Sequence, residues 1–182
     1  MPEGIRKLLG TLPLPGFVES RCFDVLASNT MAVALSPRLA AGGNRLRDVF
    51  LDPAERALYP DWDRASAGLV AGFRASVGTD TDDPRFIELV GELSLASDTF
   101  RKLWARHDVV RREGTSMILD HPQVGELTMY REKLAITGTA GQVLVLFHPE
   151  PGTPSADKLA VLASYALPVH DGELQPGSTA HN

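Results

Sequence analysis

The chain carries a single cysteine, Cys22, among 182 residues. One thiol closes no internal disulfide and builds no cysteine-based zinc site, so disulfide scaffolds and zinc ribbons are excluded and a reducing compartment is expected. No run approaches the ~18 consecutive apolar residues of a membrane span, and residues 1–17 lack the apolar core of a signal peptide. Positive charge is not in excess. Lys and Arg total 18 against 23 Asp and Glu, and the net charge of −5 argues against a free-standing nucleic-acid binder. Together these absences read as a cytoplasmic protein. Catalytic signatures are missing too: there is no Gly-x-Ser-x-Gly, His-Glu-x-x-His or Cys-x-x-Cys, and neither Gly42-Gly43 nor residues 138–141 have the spacing and lysine of a phosphate loop. The sequence therefore offers no cofactor and no enzyme activity.

What is present suits one domain. Apolar residues make up 43% and charged residues 23%, close to a globular average. Ile5, Leu8, Leu9 and Leu12 fall at helical spacing before Pro13 and Pro15, giving a short amphipathic helix. Phe17-Val18 and Phe23 to Ala27 are β-rich runs separated by polar Glu19, Ser20 and Arg21, the pattern of a hairpin. The middle of the chain is helical. Asp52-Pro53-Ala54-Glu55 and Asp83-Pro84 supply caps and first-turn prolines, and Ser97-Asp98 caps a later helix. Trp62, Ala65, Leu69, Val70 and Phe73 share one face, with Ser66 fitting there if its hydroxyl bonds a carbonyl one turn back. Phe86, Leu89, Val90 and Leu93 form a second stripe, and Phe100, Leu103, Trp104 and His107 a third. From Ser116 the pattern changes to three β-rich runs, 117–119, 127–134 and 143–147, followed by a helix capped at Thr153-Pro154. The expected fold is α+β: a hairpin, a helical block and a three-stranded meander in one antiparallel sheet, with helices mainly on one face and an internal cavity between. Boundaries follow as a linker or dimerisation helix over 1–15, the domain over 16–168 and a flexible tail over 169–182.

Two chemistries compete for the polar residues. His107-Asp108 and Asp120-His121 invite a metal-dependent hydrolase built on His107, Asp108 and His121. The better reading of His107 is a buried histidine continuing the stripe of Phe100 and Trp104, and a turn hydrogen bond explains His121 before Pro122 equally well. Arg101, Lys102, Arg106, Arg111 and Arg112 read as a solvated helix end.

The segments 23–29, 50–62, 89–94, 100–109, 121–125 and 149–155, beginning respectively with Phe23, Phe50, Leu89, Phe100, His121 and Pro149, together resemble the MmyB-like transcription-regulator ligand-binding domain from about Gly4 to Ser164. The resemblance implies a PAS-like fold and a sensor attached to an amino-terminal helix-turn-helix of the XRE type, which supplies DNA binding. That part is absent from this chain, so the expectation is a sensor whose Met1 stands at the linker. Ser28 departs from the tryptophan many members carry before the Asn, which would enlarge or re-aim the pocket. The resemblance further implies a fatty-acid-like ligand, and a homodimer is expected from the exposed stripe of the first helix. The residues expected to line the pocket are Leu26, Phe73, Trp104, His107, Met117, Leu127, Met129, Arg131, Val145 and Phe147. Arg131 is a candidate to meet a carboxylate, or simply a solvated strand end. Plain core packing explains the apolar members equally well.

Overall fold

A computed structural model describes residues 1–78, 81–106 and 116–166. Its elements are α1 (Glu3–Thr11), β1 (Gly16–Glu19), β2 (Val25–Ser28), α2 (Thr30–Leu35), a 3-10 turn (Pro37–Leu39), α3 (Arg45–Leu51), α4 (Pro53–Ala57), α5 (Trp62–Val77), α6 (Pro84–Ala96), α7 (Asp98–Ala105), β3 (Ser116–His121), β4 (Gly125–Ala135), β5 (Val143–His148) and α8 (Pro154–Ala166). The strands form one antiparallel sheet in the order β2-β1-β5-β4-β3, so the hairpin and the meander join through β1 and β5. This is the α+β arrangement that the sequence pattern predicts, and it agrees with the PAS-like fold that the resemblance implies.

Helix boundaries follow the capping chemistry. Asp52, Asp61, Asp83 and Ser97 accept from backbone donors at the starts of α4, α5, α6 and α7, and Pro53 and Pro84 occupy first-turn positions. Ser66 is buried on α5 and its hydroxyl donates to the Asp63 carbonyl, which lets a polar residue sit in the apolar stripe. Asn29 ends β2 and starts α2: its Oδ1 accepts from Ala32 N at 2.9 Å and Gly16 N at 3.1 Å, while its Nδ2 donates to the Leu14 carbonyl at 2.8 Å. One amide side chain thus fixes the chain leaving α1, the edge of β1 and the start of α2.

Alternation sorts the sheet. In β4 the residues Leu127, Met129, Arg131 and Lys133 share one face, and Arg131 and Lys133 lie opposite Phe147 and Val145 of β5. This face packs on α2 and α8, with Met31, Leu35, Leu159 and Leu162 closing over Leu127 and Met129. A second core lies within the helical block, where Phe23 and Leu46 meet Leu69, Phe73, Phe86, Leu89 and Phe100. The opposite sheet face holds a third, smaller cluster. There α1 lays Leu9 on Val18, Ala27 and Leu144, with Ile5 and Leu12 alongside. The stripe expected to be exposed is therefore largely covered by the chain's own sheet, because Val18 and Leu144 point away from the helical block and need a cover; Leu8 stays outside at 45% exposure.

Sheet and helical block are joined by charge. Glu19 is fully buried at the end of β1, two residues after Phe17 and on the same face. Arg45 at the start of α3 donates from Nε to its Oε2 at 2.9 Å, and Lys133 of β4 donates from Nζ to its Oε1 at 2.6 Å. The Arg45 guanidinium and the Lys133 ammonium also lie 4.7 and 4.6 Å from the centre of the Phe23 ring. Phe23 takes a positive φ of 63°, a region that costs a non-glycine residue about 1–3 kcal/mol and persists only where surroundings enforce it. Here the enforcement is visible, since the ring also packs edge-on against Phe73 of α5 at 5.5 Å.

Removing one partner of a buried ion pair costs about 3–5 kcal/mol, because the remaining charge stays desolvated. Arg45→Ala should lower the unfolding free energy in urea by an amount of that order, and a change near zero would show that Glu19 finds water or another cation without it.

Candidate functional site

The residues expected to line one pocket fall into different clusters. Leu127, Met129, Val145 and Phe147 come together on the inner sheet face, with Met117 packed against them and Arg131 continuing their row. Phe73 and Trp104 do not join them: their rings lie 5.9 Å apart inside the helical block, where Trp104 also stacks on Phe100. Leu26 lies in the α1 cluster on the far face. The pairing explains this, since Val18 faces Ala27 and Glu19 faces Val25, so Leu26 is the extra residue that a β-bulge skips. His107 and Asp108 lie outside the described residues. The expected elongated cavity is correspondingly filled, with Leu127, Met129 and Val145 fully buried in side-chain packing.

A small cavity does exist at the junction of sheet and helices. Its free space is about 10 Å³, room for roughly one water-sized group. Its apolar wall is Leu35, Leu39, Leu58, Leu119 and Phe147, and its polar wall is Ser36, Arg45, Glu55 and Tyr59. Local structure delivers each polar member. Ser36 caps the 3-10 turn, and its hydroxyl donates to Oε2 of Glu55. Glu55 stands at the third position of α4, where a capping-box glutamate would reach back to the backbone N–H of residue 52. That N–H is already given to the Asp48 carbonyl at 2.8 Å by the last turn of α3. Glu55 turns inward instead and is 4% exposed. Tyr59 follows α4 and packs against both the sheet-side and the helical-block cores.

Two carboxyl groups here behave oppositely. Burial alone would raise Glu19, but the charges and hydrogen bonds of Arg45 and Lys133 outweigh it and hold the carboxyl below its usual value. Burial raises Glu55, the nearby Asp48 and Asp52 charges add to the rise, and the Ser36 hydrogen bond and Arg45 oppose it. Burial also pushes the Tyr59 hydroxyl up, helped by the neighbouring Glu55 and opposed by Arg45 and Arg131. Lys133 is driven down to about 8 by burial and by Arg45, against the pull of Glu19. The cavity thus pairs an apolar wall with a hydrogen-bonding one, in which the Arg45 guanidinium is already committed to Glu19. Ligand sites characteristically combine such an apolar wall with a few polar groups. Glu19, Ser36, Arg45, Glu55 and Tyr59 are the residues that sequence reasoning did not single out.

The metal-hydrolase alternative gains nothing from the geometry. His121 is buried, its Nε2 donates to the Ala34 carbonyl at 3.1 Å and its Nδ1 accepts from Gln123 N at 3.2 Å, so both ring nitrogens are occupied. Among the described residues no three His, Cys, Asp or Glu side chains are placed to hold a metal ion.

The family described as the MmyB-like transcription regulator ligand binding domain matches residues 1–162. No curated protein matches the chain.

Two outcomes follow from this geometry. His121→Ala removes the tie between the β3–β4 turn and α2 and should cost about 1–3 kcal/mol in thermal or chemical unfolding, an unsatisfied-carbonyl penalty; a silent substitution would contradict the structural role. Because Glu55 is raised in the folded state, its contribution is fully present below its unfolded value of about 4.5 and is lost as pH rises through the folded value. Glu55→Gln removes that loss. The variant should therefore gain on the wild-type protein as pH rises above about 4.5 in urea titrations, whereas an offset independent of pH would contradict the assignment.

Proposed function

This chain belongs to the MmyB-like transcription regulator ligand-binding domain family, and from that premise we propose that it is the small-molecule sensor of a helix-turn-helix regulator, taking an elongated apolar ligand of the fatty-acid kind. The observation that carries this reading is the cavity in which Ser36, Arg45, Glu55 and Tyr59 face an apolar wall continuous with the sheet-side core. A polar end fits the first group and a hydrocarbon chain the second.

The inner row of β4 supports the same orientation, running from apolar Leu127 and Met129 to cationic Arg131 and Lys133. Met31, Met117 and Met129 flank the apolar stretch. Methionine side chains are flexible and polarizable, so they can make way for a chain of variable length where β-branched residues would resist. In this reading Leu127, Met129, Val145 and Phe147 contact the chain and Arg131 stands near the polar end. Phe73, Trp104 and Leu26 belong to packing elsewhere. The reading extends to a cytoplasmic regulator that contacts DNA through a separate XRE-type region, and to a homodimer. Among the described residues no helix is long and apolar enough to cross a membrane.

Each buried methylene contributes about 0.8 kcal/mol, so binding should strengthen with chain length until the available space is used. Thermal-shift titration with saturated acids and alcohols of increasing length should show rising stabilisation, and native mass spectrometry should detect the complexes. A flat response to both series would overturn the proposal.

A further inference from the structure

The buried Glu19 is answered by more positive charge than it carries. Arg45 donates to it from Nε at 2.9 Å and Lys133 from Nζ at 2.6 Å, so two cations meet one carboxylate. Arg131, two residues from Lys133 on the same face of β4, adds its charge to the neighbourhood. The charged groups that face the Lys133 ammonium are therefore Glu19 from β1, Arg45 from α3 and Arg131 from its own strand, with the Phe23 ring 4.6 Å away. A guanidinium keeps its proton under all ordinary conditions, whereas a lysine partly withdrawn from water and crowded by like charge gives its proton up. Lys133 is thus the member of the ion set that becomes neutral. Burial and the Arg45 charge, with Arg131 behind them, outweigh Glu19 and bring its titration to about 8.

Access singles out the same nitrogen. The Lys133 side chain is 30% exposed, against 4% for Arg45 and none for Glu19, so a reagent arriving from water meets the lysine first. Glu19 accepts one N–H and holds Nζ in place, and the neutral amine keeps a lone pair for attack.

We propose that Lys133 is a covalent modification site, an amine that takes an acyl group from a small acyl phosphate. The neutral Nζ attacks the carbonyl carbon, a C–N bond forms, and the bond from that carbon to the phosphate-bearing oxygen breaks. Inorganic phosphate leaves with the electron pair and takes one amine proton. The proton shed earlier, when the ammonium became an amine, goes to water, and nothing is oxidised or reduced. The surplus positive charge favours this donor over an uncharged one, because it draws the anionic reagent and stabilises the departing phosphate. The product amide keeps an N–H for Glu19 but no charge, which leaves Glu19 and Arg45 as a one-to-one pair. Acylation therefore removes the cationic tie of β4 to β1 and α3, where the meander joins the hairpin and the helical block. None of this depends on the sensor reading.

The other lysines, Lys7, Lys102 and Lys158, are internal controls. The folded protein is labelled with acetyl phosphate across a pH series, and the four acetylated peptides are quantified by mass spectrometry. At pH 7.5 about 0.1% of an ordinary lysine is amine, against roughly a quarter of a group titrating at about 8. Even with the lower nucleophilicity of a weaker base, Lys133 should be acetylated at least about tenfold faster than the controls at that pH, and its rate should level off above about pH 8. The lead should vanish in concentrated urea and be smaller with an acetyl thioester, an uncharged donor. Arg131→Gln, which lowers the local positive charge, should move the levelling-off to higher pH. A Lys133 rate at or below the controls, one still climbing steeply past about pH 9, or a lead that survives urea would overturn the proposal. An equal lead with the thioester would overturn the acyl phosphate as donor.

Discussion

A carboxylate with no access to water sets the terms for the rest of this structure. Glu19 closes β1 on the face turned toward the helices, and a lone buried anion is not tolerated in a protein interior. The two cations that compensate it come from parts of the chain far apart: Arg45 from the first turn of α3 and Lys133 from the far half of β4. The result is a mechanical link between the hairpin, the helical block and the meander. Its geometry also dictates the strained turn at Phe23, whose ring lies under both cations and reaches on to Phe73. Buried ion sets of this kind are weak sources of net stability and strong specifiers of arrangement. In this domain the arrangement specified is the meeting of three separately packed layers.

The candidate site is a by-product of that meeting. Because Arg45 is turned to Glu19, the polar wall it shares with Ser36, Glu55 and Tyr59 presents hydrogen-bonding groups alongside an already paired cation. Because α3 consumes the backbone donor that a glutamate at the start of α4 would otherwise cap, Glu55 is directed inward. The apolar side of the same space is the sheet-side core, whose methionines can yield to a guest at lower cost than branched residues. Recognition of a small molecule there would be felt at once by α2, α3, α4 and the sheet, since each contributes a wall. That coupling is what a sensor domain requires of its site.

Much of the fold is legible in the sequence because it is written in periodicity and caps. The stripe Trp62, Leu69, Val70, Phe73 and the aspartate and serine caps of α4, α6 and α7 give those helices, and alternation in residues 127–133 gives the inward face of β4. Periodicity shows which residues share a face but not which surface that face meets. Phe73 and Trp104 therefore read as pocket lining beside Met129, although they close a separate aromatic core. Leu26 misleads for a different reason: a single bulge moves it to the far face, and bulges leave no alternation signal. Glu19 reads as a polar separator between strands, yet its two-residue offset from Phe17 already places it inward. Glu55 and Tyr59 lie inside the 50–62 segment that carries the family resemblance, where the Asp-Pro-x-Glu pattern suggests a helix start and hides the inward carboxyl. The contact with Ser36, nineteen residues earlier, has no local trace at all.

The central claim is that the sensing site is the junction cavity, with its polar wall at Ser36, Arg45, Glu55 and Tyr59, rather than the aromatic core of the helical block or the outer face under α1. A saturated fatty acid carrying a photoreactive diazirine tests it directly, with labelled peptides mapped by mass spectrometry. The account predicts labelling concentrated on the segments that hold Leu35 to Leu39, Glu55 to Tyr59, Leu119 and Phe147. Labelling centred on Phe73 and Trp104, or on Leu26 and α1, would contradict it.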